Sequence, residues 1–215
     1  LSPTDEERLV KAIRDETFGL GPIEPLLHDP EISDILANTY RPAFVARLVL
    51  AATLAASYGI YGPAFELAEN APREPGSEEY LDSEKYEIKP RNWEAEGNIV
   101  PFITLVNLAR RQNPALHHLT NLRFLEIDND QMIAYVKSTP DRANAVIVVV
   151  NLDPSQPQFG NLQVPPDAIG VTPGSLYHVD DLLTGDRYTW GETNWVHLDP
   201  VEGEPAHILR VDPED

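Results

Sequence analysis

From about residue 120 onward the sequence breaks into short runs in which apolar and polar side chains alternate. No other feature constrains the fold as much. The runs are 122–127, 132–137, 145–152, 161–164, 175–179, 187–190, 194–198 and 205–211. Turn-forming residues separate them: Asp128-Asn129-Asp130, Asp153-Pro154, Pro165-Pro166 and Thr184-Gly185-Asp186. A strand places successive side chains on opposite faces, so short alternating runs punctuated in this way predict an antiparallel sandwich or barrel. Ala145 to Val150 is apolar throughout, which predicts a central strand covered on both faces. No internal repeat is present.

The first 120 residues read differently. Residues 4–17 predict an amphipathic helix: Thr4 and Asp5 can cap it, and Glu6 and Glu7 suit its positive end. Leu9, Val10 and Ile13 form its stripe, and Gly19, Gly21 and Pro22 stop it. Residues 31–38 suit a short strand or turn. A second helix, over 43–57, is apolar nearly all round and should be buried. Tyr58-Gly59-Ile60-Tyr61 then predicts a short buried strand, ended by Gly62-Pro63. Residues 64–96 form a long acidic loop rich in proline and tyrosine, and loops of that length are usually functional or disordered. Helical periodicity returns over 97–112 through Ile99, Phe102, Ile103, Val106 and Leu108. Arg110 and Arg111 occupy its last turn and Pro114 follows. A domain boundary falls near 113–120.

Composition narrows the function classes. Asp and Glu outnumber Lys and Arg 35 to 16, for a net charge of -19. That field repels phosphate backbones and anionic membranes, so neither nucleic acid nor a membrane is an expected partner. There is no cysteine, which removes disulfides, thiolate chemistry and cysteine metal sites. The longest apolar stretch, Leu48 to Ala56, is far below the ~20 residues that span a bilayer. No signal segment opens the sequence, and a cytoplasmic protein is the simplest expectation. Apolar surface on the helices at 43–57 and 97–112 favours association, so a homodimer is one expectation.

The 64–96 loop holds the most suggestive chemistry. Lys85 offers a point charge for a phosphate. Tyr86 offers a hydroxyl for a sugar hydroxyl, or a ring to stack on one. A solvated acidic loop in which Lys85 pairs with Glu84 or Asp82 fits the same spacing. Other constellations are weaker. A glycosidase needs two carboxylates about 5–10 Å apart, and spacing selects no such pair. His28-Asp29 stands before Pro30, where a helix-ending turn suffices. His117-His118 lacks a third ligand at fitting spacing, so no metal is expected. No P-loop, dinucleotide fingerprint or nucleophile elbow is present. Trp190, Trp195 and Tyr188 suit a sugar platform, core packing or a cross-strand aromatic pair.

Three stretches of the first half carry a family resemblance: RPAFVARLVLAATLAASYGIYGPAFELAEN from Arg41, PREPGSEEYLDSEKYEIKPRNW, and NIVPFITLVNLARRQNPALHHL. DNDQMIAYVK, VIVVVNLDP and YTWGETNWVHLDP continue it in the second half. Together they resemble the carboxy-terminal part of the GlgE-type maltosyltransferases of the α-amylase superfamily. The match runs in family order over about 175 of the 215 residues. The resemblance implies an α+β chain in which 39–119 is the end of a (β/α)8 barrel with its active-site loop at 64–96. Residues 120–215 would be the β-sandwich domain that follows it. It implies transfer of maltose from maltose 1-phosphate to the non-reducing end of an α-1,4-glucan by double displacement, with no cofactor. Lys85 and Tyr86 match the family's maltose-1-phosphate-binding pair.

The same resemblance places the nucleophile and the acid/base on earlier barrel strands that this sequence does not contain, so the chain alone is expected to be inactive. Asp34, in Ile32-Ser33-Asp34-Ile35-Leu36, is the candidate for the aspartate that stabilises the transition state, but the family's preceding Asn-Thr-Pro is missing. Residues 1–38, through ERLVKAIRDETFGLGPIEPLLHDPEISDILAN, resemble instead the amino-terminal region of CpaF/TadA-type secretion ATPases, and that accounts for Asp34 without catalysis. The two resemblances meet at Asp34-Ile35-Leu36, as they would in a chimera. A carbohydrate-binding or protein-interaction sandwich and a secretion-ATPase segment are the rival readings.

Overall fold

The computed structural model describes residues 41–60, 62–69, 71–74, 77, 81 and 88–212. The expectations for 1–40, Asp34 and the helix over 4–17 among them, lie outside the described residues, as do Lys85 and Tyr86.

Eight strands follow residue 120: β1 (Leu122–Phe124), β2 (Met132–Ser138), β3 (Ala145–Asn151), β4 (Gln158–Gln163), β5 (Tyr177–Asp181), β6 (Arg187–Trp190), β7 (Thr193–Leu198) and β8 (Ala206–Asp212). Each overlaps one of the eight runs read from the sequence. Six form one antiparallel sheet in the order β1-β2-β3-β8-β5-β6, and β4 and β7 pair in a second. An isolated bridge between Ile127 and Leu162 ties the two sheets.

β2 and β3 pair from Met132↔Asn151 to Ser138↔Ala145, and all seven residues of each are buried. One face of this centre belongs to the sandwich interior. There Ala134, Val136, Ile147, Val149 and Leu209 pack with Leu162, Val196 and Leu198 of the smaller sheet. β7 shows the expected alternation, its Asn194, Val196 and Leu198 inward and Trp195 and His197 outward. A four-residue helix, α4 (Pro166–Ile169), closes one end and stops at Gly170, whose φ of 79° suits glycine. A Cβ added there would sit 2.5 Å from the Cβ of Arg142, so close approach requires glycine as well.

The other face of the six-stranded sheet is covered by helices. α1 (Arg41–Leu54) buries Phe44, Val45, Leu48, Val49 and Ala52 and contacts β3, β8 and α3 (Val100–Gln112). A short helix, α2 (Pro63–Glu66), lies between them in the chain. Proline stands in the first turn of α1, α2 and α3, where its missing N–H costs nothing.

Three expectations need correction. The buried strand over 58–61 does not form among its described residues: 58–60 have no regular secondary structure and no ladder partners, and Gly59 is exposed. A parallel strand needs neighbours on its edges, and no described residue supplies one there. The second helix ends at Leu54 rather than Ser57, because long-range partners take its last carbonyls, as described below. The buried stripe of α3 runs through Phe102, Ile103, Val106 and Ala109, with Leu108 46% exposed.

Candidate active-site loop and aromatic groove

The segment leading into the 64–96 loop is fixed at the carboxyl end of α1. That helix has no basic residue in its last turn, so its own sequence cannot offset the exposed carbonyls. Two cations from distant elements do so instead. Lys137 Nζ, on the helix-facing side of β2, donates to the carbonyls of Thr53 at 3.1 Å and Leu54 at 3.2 Å. The Arg110 guanidinium, from α3, donates to the carbonyls of Ala52, of Ala55 at 3.1 Å and of Ala56 at 2.8 Å. Thr53 Oγ1 shares a 2.6 Å hydrogen bond with the buried Tyr135 hydroxyl. Lys137 is fully buried. Burial, and then the nearby charge of Arg110, lower its ammonium to about 8. Arg110 also lies over the Tyr58 ring, 5.2 Å from its centroid, and Tyr58 donates to Asn107 Oδ1 at 2.5 Å.

The loop itself is pinned at its roots. The Ile99 N–H donates to the Glu66 carbonyl at 2.8 Å, joining the end of α2 to the start of α3. Glu69 receives Lys89 Nζ at 3.2 Å and pairs with Arg91. Burial alone would raise the Glu69 carboxyl, but the hydrogen bonds from Arg91 and Lys89 outweigh it and hold the pKa below the usual range. The Leu81 N–H reaches the Ala71 carbonyl at 2.7 Å. These contacts bracket Lys85 and Tyr86 in sequence. His117, in a 3-10 turn over Pro114–His117, directs Nε2 to the Arg110 carbonyl at 2.6 Å, a helix-end contact.

The aromatic residues of the sandwich divide. Trp190 is 8% exposed and belongs to the core. Trp195 is 63% exposed, and Phe159, on the neighbouring strand, 60%. The Trp195 and His197 rings stack with centroids 5.6 Å apart and planes 13° from parallel. Phe159 and Trp195 lie 6.4 Å apart at 32°. Beside them opens a groove of about 280 Å³, lined by Tyr188, Trp190, Trp195, Val196, His197 and His207. Tyr188 and His207 meet edge to face at 6.0 Å, and His207 Nδ1 is held by buried Asp181 at 2.6 Å. Sequence reasoning singled out Trp190, Trp195 and Tyr188 but missed Phe159, His197 and His207. The outward position of Trp195 was readable, since it alternates with Val196 and Leu198. His197, two residues further along β7, was readable in the same way; Phe159 and His207 were not, because they come from β4 and β8.

Comparison with known proteins gives a consistent answer. Residues 124–211 match the family described as GLGE, C-terminal. The chain is 48% identical over 187 residues to an α-1,4-glucan:maltose-1-phosphate maltosyltransferase of Methylacidiphilum infernorum, covering 85% of this chain and 28% of that protein. It is 51% identical over 174 residues to the protein of that name in Rhodospirillum rubrum, covering 80% and 25%. This chain therefore spans about a quarter of the length of these relatives. Among solved structures, a maltogenic α-amylase, AmyB, from Thermotoga neapolitana superposes with a TM-score of 0.56 at 13% identity, over 79% of this chain and 36% of that one. A γ-CGTase from alkalophilic Bacillus clarkii gives 0.50 at 17% identity, over 84% and 24%. At such identities these two speak for the fold alone. The described helices include none long and apolar enough to cross a membrane. With a match to the GLGE carboxy-terminal family at 124–211 and near-half identity extending well upstream of it, the chain resembles the carboxy-terminal part of the GlgE-type maltosyltransferases.

Proposed function

We propose that this chain serves an enzyme that moves maltose from maltose 1-phosphate to the end of an α-1,4-glucan, and that its share is donor binding rather than bond cleavage. The observation that carries the reading is the 48% and 51% identity, over at least four-fifths of the chain, to proteins named for that reaction. Residues 39–119 are the end of a (β/α)8 barrel, and 120–215 the sandwich domain behind it. In this arrangement 58–61 becomes a strand only when neighbouring barrel strands pair with it. Lys85 holds the donor phosphate and Tyr86 a sugar hydroxyl.

The pinned base of the loop supports this reading. A binding loop works only if its roots are held, so that few conformations are lost when ligand arrives. Glu69 engages Lys89 and Arg91, and the donor role of Lys85 rests on its match to the family's maltose-1-phosphate-binding pair. The protein's net charge of -19 opposes an anionic ligand, so a local cation has to outweigh the general field. Retaining transfer needs a nucleophilic carboxylate and an acid/base, and these come from residues outside this sequence. Asp34 is the one candidate here for the carboxylate that stabilises the transition state.

Calorimetric titration of the purified chain with maltose 1-phosphate tests the proposal. Saturable binding is expected, weakened at least tenfold in Lys85→Ala, with maltose itself bound no better by the parent than by the variant. Equal binding of maltose 1-phosphate by both proteins would remove the role given to Lys85. Incubation with maltose 1-phosphate and maltoheptaose should release no phosphate above a buffer blank, and turnover would overturn the division between binding and cleavage.

A further inference from the structure

We propose that the groove between β6, β7 and β8, with the Phe159-Trp195-His197 rings beside it, is a second carbohydrate site that holds a neutral α-1,4-glucan chain. The inference rests on the reading that the protein works on such glucans. It adds a site remote in sequence from Lys85 and Tyr86.

The lining selects the ligand class. The groove is built from Tyr188, Trp190, Trp195, Val196, His197 and His207, with no Asp, Glu, Lys or Arg among them. The chain as a whole has 35 acidic and 16 basic residues. A wall without formal carboxylates or cations, in so acidic a protein, matches an uncharged partner. The general field also repels nucleic acid and an anionic membrane.

The rings then select within uncharged ligands. Exposed apolar aromatic surface is unfavourable in water, and Trp195 and Phe159 are more than half exposed. A pyranose presents a face of C–H bonds bordered by hydroxyls. An aromatic plane covers that face while the hydroxyls reach outward to water or polar groups. The register supplies those groups on the same outer face: Asn161 stands opposite Trp195, and Gln163 opposite Thr193, two pairs further along. His207, held through Nδ1 by Asp181, also lines the groove. A groove of about 280 Å³ lies at the lower end of the range for ligand pockets, so it holds a short run of glucosyl units while the rest of the polymer extends into solvent. Such a site would keep an acceptor chain tethered near the enzyme between transfers and raise its local concentration.

The test uses the full 215-residue chain and maltoheptaose, followed by calorimetry and by tryptophan fluorescence. Saturable binding is expected, lost at least tenfold in Trp195→Ala and largely kept in Trp195→Tyr. Unchanged circular dichroism of both variants confirms that folding is not the cause. Cellohexaose, with its straight β-linked chain, should bind at least tenfold more weakly. Absence of saturable maltoheptaose binding overturns the proposal. So does equal binding by Trp195→Ala, or a sedimentation result in which Trp195→Ala converts a dimer into a monomer, since the face is then a subunit contact. Loss of maltoheptaose binding in Lys85→Ala but not in Trp195→Ala places the glucan at the loop: the groove proposal then fails and the proposed function stands. If maltose 1-phosphate does not bind while the groove does, the proposed function fails by itself.

Discussion

One face of the six-stranded sheet rests on a second sheet; the other rests on helices, and the two contacts are made differently. In the sandwich interior the contact is dry. At its centre Ile147, Val149, Leu162, Val196 and Leu209 meet one another, and the buried Asp181 carboxylate is held by His207. Under α1 the contact is mixed. Apolar residues of the helix pack on the sheet, but Thr53, Tyr135 and Lys137 sit buried among them and satisfy one another or the helix carbonyls. The first contact depends on shape and area. The second depends on placing hydrogen-bond donors within a few tenths of an ångström, because a buried carbonyl without a partner is costly.

The largest effect that sharpens this contrast is expected on the dry side. Leu162→Ala should lower stability by about 2–5 kcal/mol, through lost burial and the cavity left behind. Chemical denaturation of parent and variant measures it, and a loss below about 1 kcal/mol would mean that the two sheets are not tightly packed. On the mixed side, Lys137→Met keeps much of the volume but strips the α1 carbonyls of a donor. A loss of roughly 1–3 kcal/mol is expected.

The same residue gives the mixed face a pH signature. The Lys137 pKa is about 8 in the folded chain against an ordinary 10.5. Between those values the unfolded chain binds more protons, so the contribution of Lys137 makes stability rise with pH from about 8 toward 10. Melting curves at pH 8, 9 and 10 should separate parent from Lys137→Met by that slope; identical slopes would show Lys137 to be ordinary. Deprotonation of the buried Tyr135 and Tyr177 phenols, both raised chiefly by burial, works in the opposite direction above the ordinary tyrosine range.

A smaller effect is expected at the sheet's exposed ion cluster. Hydrogen bonds from Arg187 first, and then from Arg210, hold the Asp180 carboxyl at about 2. A depressed carboxylate contributes stability above its unfolded value, lost as pH falls from about 4 toward 2. Asp180→Asn should flatten that part of the acid melt, and an unchanged profile would show that the pairs are screened. The smallest change in stability belongs to Trp195→Ala, within about 0.5 kcal/mol, since an exposed ring packs little. Its weight falls on glucan binding, and a large destabilisation would make it part of the core instead.

Much of the architecture was legible before any coordinates. All eight strands were, because a period of two needs only neighbours in sequence to show itself. The buried Ala145–Val150 run was too. Tyr58-Gly59-Ile60-Tyr61 looked like a strand by the same criterion, yet apolar composition cannot create the ladder partners that a strand requires. The end of α1 was misjudged by three residues, since the cations at its carboxyl end come from residues more than 50 positions away. The loop cation Lys85 came into view through resemblance, whereas its spacing alone suited a solvated acidic loop equally well.

The sequence by itself determined where the eight strands of the second half run, which turns separate them, and that the chain carries a large net negative charge. Those properties follow from local periodicity, from turn chemistry and from the sum of charges. Only the tertiary structure decided that Lys137 and Arg110 close one helix, that Glu69 pins the loop, and that Phe159 lies beside Trp195 next to a groove that His207 helps to line. Each of these joins residues distant in the chain, and only folding brings such groups within hydrogen-bonding or stacking range.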